Sequence, residues 1–130
     1  MELEMHSAHM PHDHGDIHKV LDVMPSSDDC IKAAETFKQL CDGTRLQILW
    51  LLCHSEECVV NIAAAISMSA PAVSHHLRFL KQAELIKARR IGKEVHYSLA
   101  DTEEAVLVHH MIDELFKIQC PKGEFHEHTD

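Results

Sequence analysis

Apolar residues recur at helical spacing along most of this chain, and the breaks between them mark out its elements. Ile17, Val20, Leu21 and Met24 follow i, i+3, i+4, i+7 and predict a short amphipathic helix that Pro25 stops. Residues 26–29 (Ser-Ser-Asp-Asp) supply N-cap candidates for a second helix, with Cys30, Ile31, Ala34, Phe37, Leu40 and Cys41 expected on its buried side, and Asp42-Gly43 ends it. A helix over residues 44–53 turns Leu46, Leu49, Trp50 and Cys53 inward, and a shorter one over 59–66 does the same with Ile62, Ala63 and Ile66. Ser69 is placed to cap the next helix, with Pro71 in its first turn where a missing N–H costs little, and Val73, Leu77 and Leu80 face the core as far as about Ala83.

Two short helices joined by a tight turn, the second rich in Ser, His and Arg, have the make-up of a helix-turn-helix. Residues 85–90 and 94–99 then flank Ile91-Gly92-Lys93, and Val95, Tyr97 and Leu99 alternate with His96 and Ser98, which predicts a β-hairpin with a basic tip. Asp101 and Glu104 form a capping-box-like pair opening a last helix to about Gln119. Leu107, Met111, Leu115 and Ile118 make one apolar stripe of that helix, and Val108, Ile112 and Phe116 run beside it. A stripe this wide covers its own domain on one side and offers a self-complementary face on the other, so a homodimer is expected. The expected fold is mainly α with a small β-hairpin, a winged helix-turn-helix. Residues 1–27 form a His-rich tail with the short helix, 28–120 the DNA-binding and dimerisation domain, and 121–130 a polar tail.

Charge first argues against a nucleic-acid partner, because 12 Lys and Arg against 21 Asp and Glu leave the chain at −9. The distribution reverses that reading. Residues 69–97 carry six cations and two acids, a local +4, while the remainder carries −13. Residues 1–20 lack a basic start followed by an apolar run, and no stretch is apolar enough to span a bilayer, so a soluble cytoplasmic protein without a membrane partner is expected. Five cysteines, odd in number and without a C-x-x-C pair, suit free thiols or metal ligands better than a disulfide framework. Thirteen histidines are a large excess, and seven lie in the two tails. No H-E-x-x-H, nucleophile elbow or glycine-rich phosphate loop points to an enzyme.

The stretch from Phe37 to Leu99 resembles the ArsR–SmtB family of bacterial metal- and stress-responsive repressors. The residues that carry the resemblance are Phe37-Lys-Gln-Leu-Cys-Asp-Gly-Thr-Arg-Leu46 with Ile48-Leu49, then Glu57-Cys58-Val59, Ser74-His-His-Leu77 with Leu80-Lys81, and Gly92-Lys93 through Tyr97-Ser98-Leu99. It implies a dimeric repressor that reads an imperfect inverted repeat in double-stranded operator DNA and leaves it when an inducer binds. Ser69, Ala70, Pro71, Ser74, His75, Arg78 and Lys81 would then lie on the recognition helix, and Arg89, Arg90 and Lys93 of the wing would meet phosphate or the minor groove.

The resemblance also implies two places for an inducing divalent metal ion. One joins Cys58, in the E-x-C-V motif, to the N-terminal tail, where His12, His14 and His18 stand in place of cysteines and Cys30 is a further thiolate, a set suited to Zn²⁺, Cd²⁺, Pb²⁺ or Co²⁺. The other lies on the last helix, where the family pairs ligands across the dimer. Counting along this chain gives Asp101, Glu103, Glu114 and Lys117, of which Lys117 is a poor ligand; His110 stands one turn before Glu114, as His109 does before Asp113, so a rebuilt set would be Asp101, Glu103, His110 and Glu114. Cys41 and Cys53 read as core residues. Two other functions stay open. A thiol-redox or persulfide-sensing repressor of the same fold would use Cys120 with Cys30 or Cys53. A His-rich metal store or chaperone without DNA function would explain the tails but not the +4 segment.

Overall fold

A computed structural model describes residues 10–119. The chain divides into two compact units, one running through Thr36 and the other starting at Phe37. In the first, helix α1 (Ile17–Val23) is followed by the start of α2 (Ser27–Gln39). The Ser26 hydroxyl accepts the Asp29 N–H at 3.1 Å, so the expected cap of α2 forms. Neither α1 nor α2 contains a buried residue. This overturns the expectation that Cys30, Ile31, Ala34, Phe37 and Cys41 would be buried, because all five are exposed and only Leu40 packs on the core. An amphipathic pattern declares an apolar face and leaves open what covers it.

The second unit contains α3 (Gly43–His54), β1 (Glu57–Cys58), α4 (Val59–Ile66), α5 (Ala70–Gln82), β2 (Ile86–Ile91), β3 (Glu94–Leu99) and α6 (Glu103–Gln119). This is the helix-turn-helix followed by a hairpin that the sequence predicts. Asp42 caps α3 by accepting the Arg45 N–H at 3.0 Å, and that bond holds its carboxyl below the usual carboxylate range. Ser69 caps α5 by accepting the Ala72 N–H at 3.2 Å. The turn between α4 and α5 passes through Ser67 in the left-handed region, φ +59°, where the Met68 N–H reaches back to the Ala63 carbonyl. The hairpin turn puts Gly92 at φ +64°, a conformation glycine adopts without a Cβ penalty.

Two features go beyond the sequence reading. The sheet has three antiparallel strands in the order β1-β3-β2, because the two-residue β1 pairs Glu57 with Tyr97 and Cys58 with His96. In addition, Asp101 does not cap the last helix. Thr102 does, its hydroxyl accepting the Ala105 N–H at 3.1 Å and donating to the Glu84 carbonyl at 2.8 Å. Thr102 can serve both groups at once, and the Asp101 carboxylate instead accepts from Lys87 at 2.9 Å.

The core joins Ile48, Leu49 and Leu52 of α3 to Ile62 of α4, Val73, Leu77 and Leu80 of α5, Leu85 and Ile86 at the hairpin, and Ala105, Val108 and Ile112 of α6. The other stripe of α6 points outward, with Leu107 66% and Ile118 76% exposed in the single chain. No helix among the described residues is long and apolar enough to cross a membrane.

Candidate nucleic-acid interface and metal cluster

Val73, Leu77 and Leu80 anchor one face of α5, so Ala70, Pro71, Ser74, His75, Arg78 and Lys81 all face outward. The Ser69 hydroxyl is committed to the helix cap. Among the described residues Arg78, Lys81, Arg90 and Lys93 have no acidic partner, which leaves their charge available to phosphate or base edges. Arg89 differs, since its guanidinium makes a two-pronged bond to the Glu56 carboxylate at 2.6 and 2.7 Å. That bond lowers the Glu56 carboxyl from its ordinary range and raises the Arg89 guanidinium.

Arg45, a motif residue given no role in the sequence reading, ties α3 to the recognition helix. Its Nε donates to His76 Nδ1 at 3.2 Å, a terminal nitrogen donates to Gln39 Oε1 at 2.7 Å, and the guanidinium lies 4.4 Å from the Phe79 ring centroid. Planar donors over an aromatic face suit arginine, and lysine could not reproduce the set.

The expected metal ligands are spread over the chain. His12, His14, His18 and Cys30 belong to the N-terminal unit, where the His12 and His14 rings stack with centroids 5.8 Å apart. Cys58 belongs to the second unit, is buried, and lies opposite His96 in the sheet register. In the last-helix set, Asp101 is paired with Lys87 and Glu114 with Lys117 at 3.2 Å, while Glu103 and His110 are exposed. Among the described residues, one group of three donors has its ligating atoms mutually within 4.8 Å: His54, His109 and Asp113. The i, i+4 spacing of His109 and Asp113 is visible in the sequence. His54 is brought to them by the packing of α3 on α6, which the sequence does not reveal.

The described cysteines are free thiols. Cys53 is half-buried beside this cluster, and burial, with the Asp113 carboxylate adding to it, pushes its thiol up to about 12. Cys41, expected in the core, is exposed, lying beyond the end of the helix at Gln39. Cys120 lies outside the described residues.

A winged helix-turn-helix with an exposed cationic recognition helix defines a DNA-binding regulator. Residues 42–88 match the family described as bacterial regulatory protein, arsR family. The chain is 42% identical over 90 residues to a transcriptional repressor SmtB homolog of Synechocystis sp., covering 69% of this chain and 68% of that protein. It is 43% identical over 76 residues to a cadmium resistance transcriptional regulatory protein CadC homolog of Staphylococcus aureus, covering 58% and 63% of the two chains. A homodimeric winged helix-turn-helix DNA-binding domain from Mycobacterium bovis superposes with a TM-score of 0.61 at 29% identity, covering 85% of this chain and 94% of that one. The chain belongs to the arsR family of bacterial transcriptional regulators.

Proposed function

We propose that the protein is a homodimeric repressor that binds an imperfect inverted repeat in double-stranded DNA and is released by a divalent metal ion. The observation that carries the DNA half is the set of unpaired cations on the recognition helix and wing, Arg78, Lys81, Arg90 and Lys93, in a chain whose net charge is otherwise strongly negative. Ser74, His75 and Arg78 would read base edges in the major groove, and Arg90 and Lys93 would meet phosphate. Arg89 joins them by exchanging Glu56 for phosphate. The outward stripe of α6 is the surface a second copy would bury.

Two observations support metal release: the cadmium resistance named for one relative and the three-donor cluster between α3 and α6. The tail histidines with Cys58 and Cys30, and Asp101, Glu103, His110 and Glu114 across a dimer, are further ligand sets. When bound, the ion supplies a cross-link between elements whose spacing sets the distance between recognition helices. A thiol-redox reading is disfavoured at Cys53, where a thiol pushed up to about 12 is a poor nucleophile.

The test is fluorescence anisotropy of the reduced, metal-free chain on its own promoter DNA, repeated over a range of salt. Tight binding with a steep salt dependence is expected, and removing residues 1–15 should leave it intact. Binding no tighter than to unrelated DNA would overturn the proposal.

A further inference from the structure

We infer that His54, His109 and Asp113 form a divalent metal site that bolts the carboxyl end of α3 to α6, selective for nitrogen- and oxygen-loving ions of the zinc and cobalt type. The regulatory consequence rests on the repressor reading above; the site itself does not.

His54 is the last residue of α3, and its Nδ1 lies 2.8 Å from the Trp50 carbonyl, one turn back. A carbonyl can only accept, so in the neutral ring this bond places the proton on Nδ1 and leaves the Nε2 lone pair bare. In that neutral form Nε2 faces Asp113 Oδ1 at 3.6 Å, an acceptor opposite an acceptor. The other carboxylate oxygen, Oδ2, lies 3.1 Å from His109 Nε2, one turn earlier on α6. The His54 and His109 rings stand edge to face with centroids 5.3 Å apart, which turns both ligating edges toward the same carboxylate. A cation shared by the three relieves the opposition of lone pairs.

A ring nitrogen bound to a main-chain carbonyl while the other nitrogen points at a shared centre is the outer-shell arrangement that orients metal-binding histidines. Two imidazoles and a carboxylate are a common three-ligand set for Zn²⁺, with water completing the shell. The converging donors are two imidazole nitrogens and a carboxylate, with no thiolate among them, whereas thiol-rich sets favour Cd²⁺ and Pb²⁺. The side chains are 19%, 31% and 35% exposed for His54, His109 and Asp113, enough for an ion to enter and little enough to limit competing water.

The position also explains how an ion could be felt by DNA. α3 is 12 residues long, about 18 Å. Its amino end holds the recognition helix through Arg45, and its carboxyl end holds α6, whose outward stripe is the proposed dimer face. An ion that fixes the angle between α3 and α6 therefore fixes the recognition helix relative to the partner copy.

The experiment is a Co²⁺ titration of the full chain, read by visible d–d absorption, with Zn²⁺ affinity measured by chelator competition. It is run for wild type and for His109→Gln, Asp113→Asn, His54→Gln and the neighbouring control His110→Gln. The first three variants should lose at least about tenfold in Zn²⁺ affinity and lose the Co²⁺ band, while His110→Gln retains both. Circular dichroism and thermal unfolding of the metal-free variants separate ligand loss from misfolding. Folded variants that keep wild-type affinity and spectrum overturn the site. The repressor reading fails differently, if wild type binds Co²⁺ at this cluster and stays on its operator. If metal releases the folded variants as it releases wild type, the reading survives and the cluster is not the sensor.

Discussion

The two ends of α3 are built on opposite principles. At the amino end Arg45 meets an imidazole, an amide oxygen and an aromatic face, and Asp42 caps the first turn, so the polar groups there are satisfied within the chain. At the carboxyl end two histidines converge on a single carboxylate, with Nε2 of His54 3.6 Å and Nε2 of His109 3.1 Å from its oxygens. A closed network is a fixed joint, whereas an open donor set is a joint whose stiffness depends on what is added to it. A regulator needs both, one end to carry a displacement to the recognition helix and the other to receive the signal.

The most damaging way to break this contrast is to destroy the rod between the ends. Leu49 is fully buried at the middle of α3, and Leu49→Ala should cost about 2–5 kcal/mol, measured by urea unfolding. A loss below 1 kcal/mol, roughly the cost of an ordinary surface change, would mean that α3 is not the element the core is built around. Next in size is the DNA contact itself. Arg78→Ala should weaken operator binding by about 1–3 kcal/mol and relax its sequence preference, whereas Arg90→Ala should weaken all sequences alike and lower the salt slope by about one.

Smaller effects sharpen the difference between the ends. Arg45→Lys should reduce operator affinity while leaving Zn²⁺ affinity unchanged, the reverse of His109→Gln, because one residue serves the transmitting end and the other the receiving end. Equal effects of both substitutions on both ligands would merge the two joints into one. Asp42 supplies a pH signature of the amino end alone. Its folded-state carboxyl is lowered, so its contribution is present above the unfolded value and lost as pH falls through the folded one. Asn at this position caps without titrating, so the stability gap between wild type and Asp42→Asn should shrink as pH falls through the ordinary carboxylate value of about 3.9 and below it. A gap constant with pH would remove the charge from the account of the cap. Smallest in functional consequence is thiol reactivity: near neutral pH Cys53 should alkylate far more slowly than Cys30 and Cys41, as followed by mass spectrometry of tryptic peptides.

Much of the fold was legible because the cues were local. Ser69 with Pro71, the Asp42-Gly43 break, and Gly92 between alternating strands each act within a few residues, and each element formed within one or two positions of its expected limits, although Asp42, read only as a break, also caps α3. The misses came from competition and from tertiary contact. Thr102 displaced Asp101 as the last cap because its hydroxyl also reaches the Glu84 carbonyl, a partner 18 residues away. β1 escaped notice because two residues cannot show an alternation, and only pairing with β3 defines them as a strand. The apolar faces of α1 and α2 were read correctly as apolar and wrongly as buried, since burial requires a covering surface that the sequence does not display.

The candidate site divides along the same line. The cationic face of α5 follows from helical periodicity, because fixing Val73, Leu77 and Leu80 inward fixes Arg78 and Lys81 outward. The His109 and Asp113 pair follows from i, i+4 spacing. The third donor, His54, lies 55 residues from His109 and joins the cluster only through the packing of α3 on α6. The same holds for Glu56 and Arg89, whose bond crosses 33 residues and commits a wing cation expected to be free.

If metal and operator compete through α3, the competition must be reciprocal. The direct measurement is Zn²⁺ affinity, by chelator competition, for the dimer alone and for the dimer saturated with operator DNA. Operator should weaken Zn²⁺ binding by the same factor by which Zn²⁺ weakens operator binding, about 5–150-fold. Equal Zn²⁺ affinities with and without operator would contradict it.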